Sequence, residues 1–341
     1  MMKAAVLEAY HRPLVVREVG LAAPARGEVA VEVKACGLCL TDVHISEGKV
    51  PTVTLPLVPG HECAGVVARL GEGVTDWKVG ERVTVCVDVN CNHCDFCLRG
   101  ETNRCANLKR IDFERNGGMA EMVTVPAANL ERIADGVSFE KAAIIPDAVA
   151  AMYRSLKTVA GVGVGTKVAI LGVGGLGIQG VKIARLLGAH VTCTDLDDRK
   201  LARARSFGAE HTINPTRESF LEASRHRLGA YDVVVDNVGR KETVFEAVQA
   251  CRNGGKVVAM GYVDPVLEIP SYEIVIKEKQ VVGSRALTRA EFREVVALVN
   301  SGQLDPDIGE LIPIRRINEA LDNLKNGRYL TRSVLMLPFD P

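Results

Sequence analysis

Four of the ten cysteines lie in one short segment, at Cys91, Cys94, Cys97 and Cys105. The spacing C-x2-C-x2-C-x7-C puts four thiolates in one loop, enough to close a tetrahedral zinc site. Because four protein ligands leave no open position, the pattern predicts a structural zinc rather than a disulfide framework. Iron–sulfur ligation is the competing interpretation, but the fourth cysteine here lacks the following proline of the bacterial ferredoxin motif.

Two further segments carry side chains of the types that bind metals. CGLCLTDVH at 36–44 includes Cys39, Thr41 and His44, and GHE at 60–62 includes His61 and Glu62. A thiolate, an imidazole and a nearby carboxylate are the ligand types of a zinc site. Buried cysteine and histidine are also common core residues, so these two segments alone do not choose between metal binding and packing.

A glycine-rich segment follows a short apolar run near residue 170. Val168–Leu171 predicts a buried parallel strand, GVGGLG contains Gly172, Gly174 and Gly177, and the apolar spacing after it predicts a helix. The first glycine allows the tight turn, the second lets a pyrophosphate approach the backbone, and the third lets helix and strand pack closely. The helix N-terminus offers free N–H groups to the phosphates. The segment therefore predicts a dinucleotide site.

An acidic residue ends the next predicted strand. Asp195 lies near the distance of roughly 20 residues at which this fingerprint places a carboxylate on the adenosine ribose. Such a carboxylate repels a 2′-phosphate, so the sequence favours NAD over NADP. Arg199 and Lys200 lie close enough to attract a phosphate, which leaves the choice between the two cofactors open.

The elements that must position these residues fall into three segments. Residues 1–149 hold short strand-like runs separated by glycine turns, which predicts a mainly β domain with the metal-binding segments. Residues 150–285 hold six predicted strands that alternate with helices, which is typical of a doubly wound parallel Rossmann sheet. Residues 286–341 hold two helical patterns and a final strand, and we expect them to return to the first domain.

Composition excludes several classes of protein. The chain has 341 residues and a formal net charge of zero, so bulk electrostatics indicates neither nucleic acid nor an anionic membrane surface as a partner. No apolar run approaches the roughly 20 residues needed to span a bilayer. The N-terminus lacks the apolar core of a signal peptide. We expect a cytoplasmic enzyme of two domains.

These segments together resemble the zinc-dependent medium-chain alcohol dehydrogenases over essentially the whole chain. The resemblance is carried by CGLCLTDVH at 36–44, PGHECAGVV at 59–67, the four-cysteine loop, AAIIPDAVAAMYRSLK at 142–157 and the glycine fingerprint. It implies an α/β fold in which a Rossmann domain joins a GroES-like, mainly β catalytic domain. It also implies one catalytic and one structural zinc ion per chain, NAD as cofactor, and a homo-dimer or homo-tetramer.

The resemblance assigns roles to individual residues. Cys39 and His61 are implied as the first two ligands of the catalytic zinc, and Asp147 stands where relatives usually have a cysteine ligand. A carboxylate keeps the charge of a thiolate but is a harder donor, so we expect easier metal loss. The alternative role for Asp147 is a helix N-cap without zinc. The acid Glu62 is implied either to approach the metal or to orient the site as a hydrogen-bond acceptor.

The implied reaction is hydride transfer between NAD and a primary or secondary alcohol, or the matching aldehyde or ketone. Thr41 is implied to take the proton of the substrate oxygen, and a ribose hydroxyl of the cofactor is implied to pass it to His44 at the surface. Polyol, sugar and CoA-linked pathway alcohol dehydrogenases share the same motifs and remain alternatives. A nicotinamide-binding sensor without catalysis is a further alternative, although binding alone needs neither the metal-ligand types nor the relay residues.

Overall fold

The computed structural model describes residues 1–339 of the chain. Within them, one compact unit comprises Met1–Ala150 together with the segment that begins at Leu287. The second compact unit comprises Ala151–Ala286. None of the helices in the part of the chain that the structure describes is long and apolar enough to cross a lipid bilayer.

Seventeen strands lie in the described residues. They are β1 (Met2–Val6), β2 (Val15–Val19), β3 (Glu28–Gly37), β4 (Glu62–Leu70), β5 (Arg82–Val85), β6 (Asp88–Val89), β7 (Lys109–Arg110), β8 (Met122–Pro126), β9 (Leu130–Arg132), β10 (Lys167–Leu171), β11 (His190–Thr194), β12 (His211–Ile213), β13 (Tyr231–Asp236), β14 (Cys251–Ala259), β15 (Gln280–Gly283), β16 (Leu311–Pro313) and β17 (Val334–Met336).

Eleven α-helices accompany them in the same described range. They are α1 (Leu40–Ser46), α2 (Asp95–Leu98), α3 (Phe139–Ala143), α4 (Ala150–Tyr153), α5 (Gly177–Leu186), α6 (Asp198–Ser206), α7 (Phe220–Ala223), α8 (Lys241–Ala250), α9 (Ser271–Val275), α10 (Arg289–Asn300) and α11 (Ile317–Lys325). Further helical turns of tighter or wider pitch cover Thr102–Arg104, Ala127–Asn129, Ile145–Val149, Arg154–Ala160, Ser224–Leu228 and Ile314–Arg316.

The first unit is built around a seven-stranded sheet in which β16, β17, β3, β4, β5 and β9 follow one another and β8 pairs with β3. Strand β3 is buried along most of its length because it has neighbours on both edges and a core beneath it. Strand β17, near the end of the chain, pairs antiparallel with β3, so that Leu335 lies opposite Cys36. The final segment is thereby part of this sheet.

One register in this sheet positions the candidate metal ligands. Strands β3 and β4 are antiparallel, and Gly37 at the end of β3 lies opposite Glu62 at the start of β4. Cys39 follows β3 by two residues, and His61 immediately precedes β4. Because paired antiparallel strands bring the end of one beside the start of the other, this register brings Cys39 and His61 to the same edge of the sheet.

The second unit contains six parallel strands in the order β12-β11-β10-β13-β14-β15. This is the 3-2-1-4-5-6 order of the doubly wound dinucleotide-binding fold, and it confirms the predicted Rossmann sheet. The core strands are apolar on both faces because helices cover both sides, as in Val168–Leu171 of β10. Strand order reverses between β10 and β13, which makes the carboxyl ends of these strands the ligand-binding edge of such a sheet.

Helix α1 is the main local difference from the sequence-based prediction. The sequence predicts short strands separated by turns over residues 1–149, whereas the structure has a helix over Leu40–Ser46. Cys39 is its N-cap residue, and the Asp42 carboxylate accepts the Cys39 N–H at 2.8 Å. An acid at the third helical position stabilises a helix start in this way. A helix of seven residues is too short for apolar periodicity to reveal it.

Candidate active site

The backbone before His61 is fixed by a glycine. Gly60 has a φ of +103°, which L side chains rarely adopt. A Cβ at this position would lie 2.7 Å from Cys36 Sγ and 2.8 Å from Met119 N. Only glycine fits this tight approach. The chain can therefore turn sharply into β4 and aim the His61 ring toward Cys39.

Asp147 completes a cluster with these two residues. It lies in the helical turn Ile145–Val149, which follows α3 and its N-cap residue Ser138. Cys39, His61 and Asp147 each offer one possible ligand atom, and these three atoms lie within 4.8 Å of one another. The Asp147 Oδ2 atom is 3.6 Å from Cys39 Sγ and 3.8 Å from His61 Nε2.

This cluster fits a zinc ion on the chemistry of its donors. A thiolate, an imidazole nitrogen and a carboxylate oxygen are the zinc ligands found in proteins, and three such ligands leave a position for substrate. With bond lengths of roughly 2.0 to 2.3 Å, tetrahedral ligand atoms lie about 3.3 to 3.7 Å apart, close to the separations seen here. The geometry is that expected of a catalytic rather than a structural site.

The far side of the His61 ring faces two buried carboxylates. His61 Nδ1 lies 2.7 Å from Asp112 Oδ2 and 3.8 Å from Asp42 Oδ1. Burial and repulsion from Asp112 raise the pKa of Asp42 to about 8. Asp112 lies 51 residues from His61 and belongs to no recognisable motif. Sequence reasoning missed it, because nothing local marked it as a partner of His61.

A buried arginine near the end of the chain was also missed. Arg332 Nη2 lies 2.9 Å from Asp147 Oδ2 and 3.3 Å from Glu62 Oε1, and Arg332 Nη1 donates to the Leu38 carbonyl. Burial raises the pKa of Asp147, but the hydrogen bond to His61 and the charge of Arg332 lower it overall. Arg332 therefore helps to keep Asp147 ionised, as metal ligation requires.

Glu62 is fully buried behind this cluster. Its Oε1 atom accepts the Ala148 N–H at 3.0 Å, while no donor among the described residues reaches Oε2. Burial raises the pKa of Glu62 well above its usual value despite the charge of Arg332. A Cβ on Gly37 would lie 2.0 Å from Glu62 Oε2, so a glycine makes room for this carboxylate.

Thr41 and His44 both project from α1. Thr41 Oγ1 lies 3.4 Å from Cys39 Sγ, which puts the hydroxyl beside the candidate metal ligands. His44 lies almost one helical turn further on and is half-buried. Burial and the nearby Lys49 charge lower the pKa of His44. A neutral imidazole at physiological pH can both accept and donate a proton, which suits a relay.

Glu47 ties the end of α1 to α11, and this contact predicts a pH effect. Hydrogen bonds from Lys325 and Lys49 lower the pKa of Glu47 to about 2. A carboxylate with a lowered folded pKa stabilises the fold above roughly pH 4.5 and loses this contribution as pH falls toward 2. We expect the wild type to lose more stability than Glu47→Gln between pH 6 and pH 3 in urea unfolding. The difference should be small, because both lysines are more than half exposed. Equal losses in the two proteins would contradict it.

The four clustered cysteines form a second metal-binding group in the first unit. Their sulfur atoms lie within 4.8 Å of one another, with Cys91 4.0 Å from Cys97 and Cys94 4.0 Å from Cys105. The backbone N–H of His93 is the main cause that lowers the pKa of Cys91 to about 5. The His93 side chain is exposed and contacts the Cys91 carbonyl instead of the sulfurs. Four thiolates in this arrangement fit a closed structural zinc site.

Replacing Cys94 with serine is expected to damage stability before catalysis. The change removes one of four ligands, and a structural zinc contributes folding free energy directly. We expect a lower midpoint of thermal unfolding and a fall in bound zinc from about two to about one per chain, measured by elemental analysis. His93→Ser, in the same loop, is the matched control and should change neither. If Cys94→Ser kept its stability and only raised KM, the division into structural and catalytic zinc would be wrong.

The glycine loop of the second unit has the geometry that a pyrophosphate needs. Gly172 has a φ of +82°, and a Cβ on Gly177 would lie 2.0 Å from the Gly172 carbonyl oxygen. A Cβ on Gly174 would meet no atom within 4 Å, so there is open space at the Gly174 backbone beside the start of α5. Open space at this backbone and the free N–H groups of a ten-residue helix fit a bound diphosphate.

Asp195 follows β11 at the ligand-binding edge of the sheet. Its Oδ2 atom accepts the Val173 N–H at 2.9 Å, and its Oδ1 atom accepts the Asp197 N–H. Each carboxylate oxygen retains a lone pair for a ribose hydroxyl. Arg199 is held by Asp197 through contacts of 2.7 to 3.2 Å. The Asp195 carboxylate therefore also supports the glycine loop, and Arg199 is already paired with Asp197.

Comparison with known proteins identifies the family. The model described as alcohol dehydrogenase GroES-like domain matches residues 25–135, and the model described as zinc-binding dehydrogenase matches residues 175–301. An alcohol dehydrogenase of Geobacillus stearothermophilus is 36% identical over 336 residues, 98% of this chain and 99% of the relative. The chain belongs to the zinc-dependent medium-chain alcohol dehydrogenase family.

Solved structures of this alcohol dehydrogenase family share its fold. An NAD-dependent alcohol dehydrogenase superposes with a TM-score of 0.94 at 30% identity, over 99% of this chain and 100% of the other. Acetophenone reductase from Geotrichum candidum NBRC 4597, solved in complex with NAD, gives a TM-score of 0.91 at 31% identity, over 99% of this chain and 98% of the other. These matches confirm the predicted combination of a GroES-like and a Rossmann domain.

Proposed function

We propose that this chain catalyses reversible hydride transfer between NAD and a primary or secondary alcohol, with the matching aldehyde or ketone as the other substrate. The observation that carries the proposal is the meeting of Cys39, His61 and Asp147, whose ligand atoms lie within 4.8 Å although the residues are far apart in sequence. The family, whose relatives include NAD-dependent alcohol dehydrogenases, supports it. A binding protein without catalysis would need no such cluster.

Cys39, His61 and Asp147 would hold the catalytic zinc, and the four cysteines Cys91, Cys94, Cys97 and Cys105 would hold the structural one. A zinc ion with an open position supplies a Lewis acid that polarises an alcohol or carbonyl oxygen. Arg332 keeps the carboxylate ligand ionised by its contact with Asp147 Oδ2. Glu62 remains an orienting acceptor in this proposal, because its Oε1 atom holds the Ala148 N–H.

Thr41 and His44 would move the proton that an alcohol loses on oxidation. The Thr41 hydroxyl lies beside Cys39 Sγ, within reach of a substrate oxygen at the metal. A hydroxyl can accept one proton and donate another, so Thr41 Oγ1 can pass the proton on. His44, half-buried and with a lowered pKa, would take it at the imidazole and release it to solvent.

NAD is the proposed cofactor, bound by Gly172, Gly174, Gly177 and Asp195. The ion pair of Arg199 with Asp197 supports NAD over NADP, because a paired guanidinium attracts a 2′-phosphate less strongly. Lys200, half-buried on α6, would then contact the adenosine ribose. We assign it this role from its position after Asp195 in the sequence.

The proposed substrate is uncharged. Arg110 and Arg115 are cations that could attract an acidic substrate, but they form ion pairs with Glu114 at 2.7 Å and with Glu28 at 2.6 Å. Arginines already paired with carboxylates leave less attraction for a substrate phosphate or carboxylate. This supports simple alcohols and ketones, or neutral polyols and sugars, ahead of CoA-linked substrates.

We propose a cytoplasmic homo-dimer or homo-tetramer. Among residues 1–339, strand β15 pairs only with β14, and such an edge strand offers unpaired backbone groups to a second copy. Exposed apolar side chains precede it, namely Tyr262, Val263, Val266, Tyr272, Val275 and Ile276. Such a patch marks a protein interface. Light scattering during size-exclusion chromatography gives the mass, and a monomer of 36.7 kDa would contradict the proposal.

The test of function follows nicotinamide absorbance with the purified protein, NAD or NADP, and aliphatic, aromatic, cyclic and polyol alcohols. NADH formation that stops after chelation and returns with zinc is the expected result. The responding alcohols would define the substrate class. If no alcohol responds while NAD still binds, the hydride-transfer proposal fails for these classes and the sensor interpretation gains support.

A further inference from the structure

We propose that Asp112 is the residue that positions His61 as a metal ligand, a role that the recognised motifs do not assign to it. The inference rests on the proposed function, because it assumes zinc at Cys39, His61 and Asp147. Asp112 Oδ2 lies 2.7 Å from His61 Nδ1, a hydrogen-bond distance. A carboxylate can only accept here, so Nδ1 carries the proton and the Nε2 lone pair is left for the metal.

The other carboxylate near the ring is committed elsewhere. Asp42 Oδ1 lies 3.8 Å from His61 Nδ1, beyond hydrogen-bond distance. The second oxygen of Asp42 accepts the Cys39 N–H at 2.8 Å and so holds the start of α1. Asp42 thus fixes the backbone of one ligand, whereas Asp112 fixes the ring of another. The two carboxylates divide the support of the metal site between them.

The backbone at Asp112 shows that the fold holds this side chain in place. Asp112 has a φ of +75°, in the left-handed region that residues other than glycine rarely adopt. Its N–H donates to the Arg115 carbonyl at 2.8 Å, and Arg110 and Glu114 close the same turn through an ion pair. A strained conformation persists where the surroundings over-determine it, and it often marks a functional site. Here it directs a fully buried carboxylate at His61.

The second oxygen of Asp112 strengthens this assignment. Asp112 is 0% exposed, and no hydrogen bond of good geometry reaches its Oδ1 atom from the described residues, although the Gly60 backbone and the Asp42 side chain lie close to this carboxyl group. A carboxylate buried without full pairing destabilises a fold, so packing alone does not account for it. A glycine would suit the backbone at this position better. The retained acid is explained if it orients the His61 ring toward Cys39 and Asp147.

The test compares zinc release from the holoenzyme to a chromogenic chelator, with total zinc from elemental analysis. Asp112→Gly removes the acceptor and suits the positive φ, whereas Asp112→Asn keeps an acceptor but removes the charge. His11→Gly is the matched control, since His11 is exposed and has a φ of +60°. Loss of a carboxylate behind a histidine ligand lowers metal affinity roughly 10- to 100-fold. We expect one zinc equivalent to leave faster by about this factor in Asp112→Gly, and near the lower end in Asp112→Asn.

The second equivalent, held by the four cysteines, should leave at the wild-type rate in every variant. A purely structural role of Asp112 would instead change unfolding and both release phases together. The inference is overturned if folded Asp112→Gly or Asp112→Asn releases both equivalents at the wild-type rates. If the wild type itself holds only the cysteine-bound equivalent, the proposed catalytic zinc fails, whatever the variants do.

Discussion

Asp147→Ala is expected to lower kcat/KM for alcohol oxidation by about 10³-fold or more, because a bound metal contributes several kcal/mol to stabilising the reacting oxygen. The change removes one of three donors in the cluster with Cys39 and His61. It also leaves the buried Arg332 without its contact at 2.9 Å. Steady-state kinetics with NAD and elemental analysis of zinc measure the two effects. Bound zinc should fall to the structural equivalent.

The controls separate ligand loss from loss of charge. Asp135→Ala removes a fully exposed carboxylate from the same unit and should leave both zinc and activity unchanged. Asp147→Cys introduces the thiolate that the family resemblance implies at this position, and it should hold zinc more tightly than Asp147→Ala. If Asp147→Ala kept two zinc equivalents and near wild-type activity, Asp147 would be a capping residue and the ligand set would be wrong.

Glu273→Gln is expected to destabilise the protein by about 3 to 5 kcal/mol, the usual cost of removing one partner from a buried ion pair. Lys279 is almost completely buried, and its Nζ atom lies 2.6 Å from Glu273 Oε2. Burial raises the pKa of Glu273, but hydrogen bonds from Lys277 and Lys279 lower it to about 2. The change therefore leaves a buried ammonium group without its countercharge, although Lys279 Nζ still donates to the Val248 carbonyl. The free energy of unfolding in urea measures the effect.

A double variant tests whether the stranded charge is the cause. Glu273→Gln with Lys279→Met removes both charges, and it should recover most of the lost stability. Glu222→Gln breaks an exposed pair with Arg225 and should change stability by less than about 1 kcal/mol. Equal losses in Glu273→Gln and Glu222→Gln would show that burial of this pair adds nothing. Glu273 lies in α9, and Lys279 immediately precedes β15. Their ion pair therefore also stabilises the edge strand at which we propose that a second copy binds.

The parts of the structure that the sequence predicted depend on local patterns. The six strands of the second unit and the two helices after residue 286 were predicted, because apolar spacing within each segment decides them. The cysteine loop was equally accessible, since all its ligands lie within 15 residues. Strand β11 ends at Thr194, one residue before the predicted end at Asp195. Asp195 therefore lies just beyond the strand, where its carboxylate can hold the glycine loop.

The parts that the sequence did not predict depend on distant partners. Arg332 meets Asp147 across 185 residues, and Asp112 meets His61 across 51. No spacing rule connects such pairs, and an isolated arginine or aspartate in a sequence is most often exposed to solvent. Only the sheet register and the turn that contains Asp112 bring these side chains together. The candidate metal ligands could be named from motifs. The residues that orient them or compensate their charge could be found only from the three-dimensional structure.

The separation of the ligands along the chain also sets an order of events during folding. Cys91 and Cys105 are only 14 positions apart in the sequence, so the cysteine loop can close at a small entropic cost before the rest of the chain is arranged. Cys39 and Asp147 are 108 residues apart and meet only after β3, β4 and the helical turn Ile145–Val149 have formed. We therefore expect the two proposed zinc sites to become able to bind metal at different stages of folding. When zinc is scarce, we expect the loop to fill first and to leave a folded chain without metal at Cys39, His61 and Asp147.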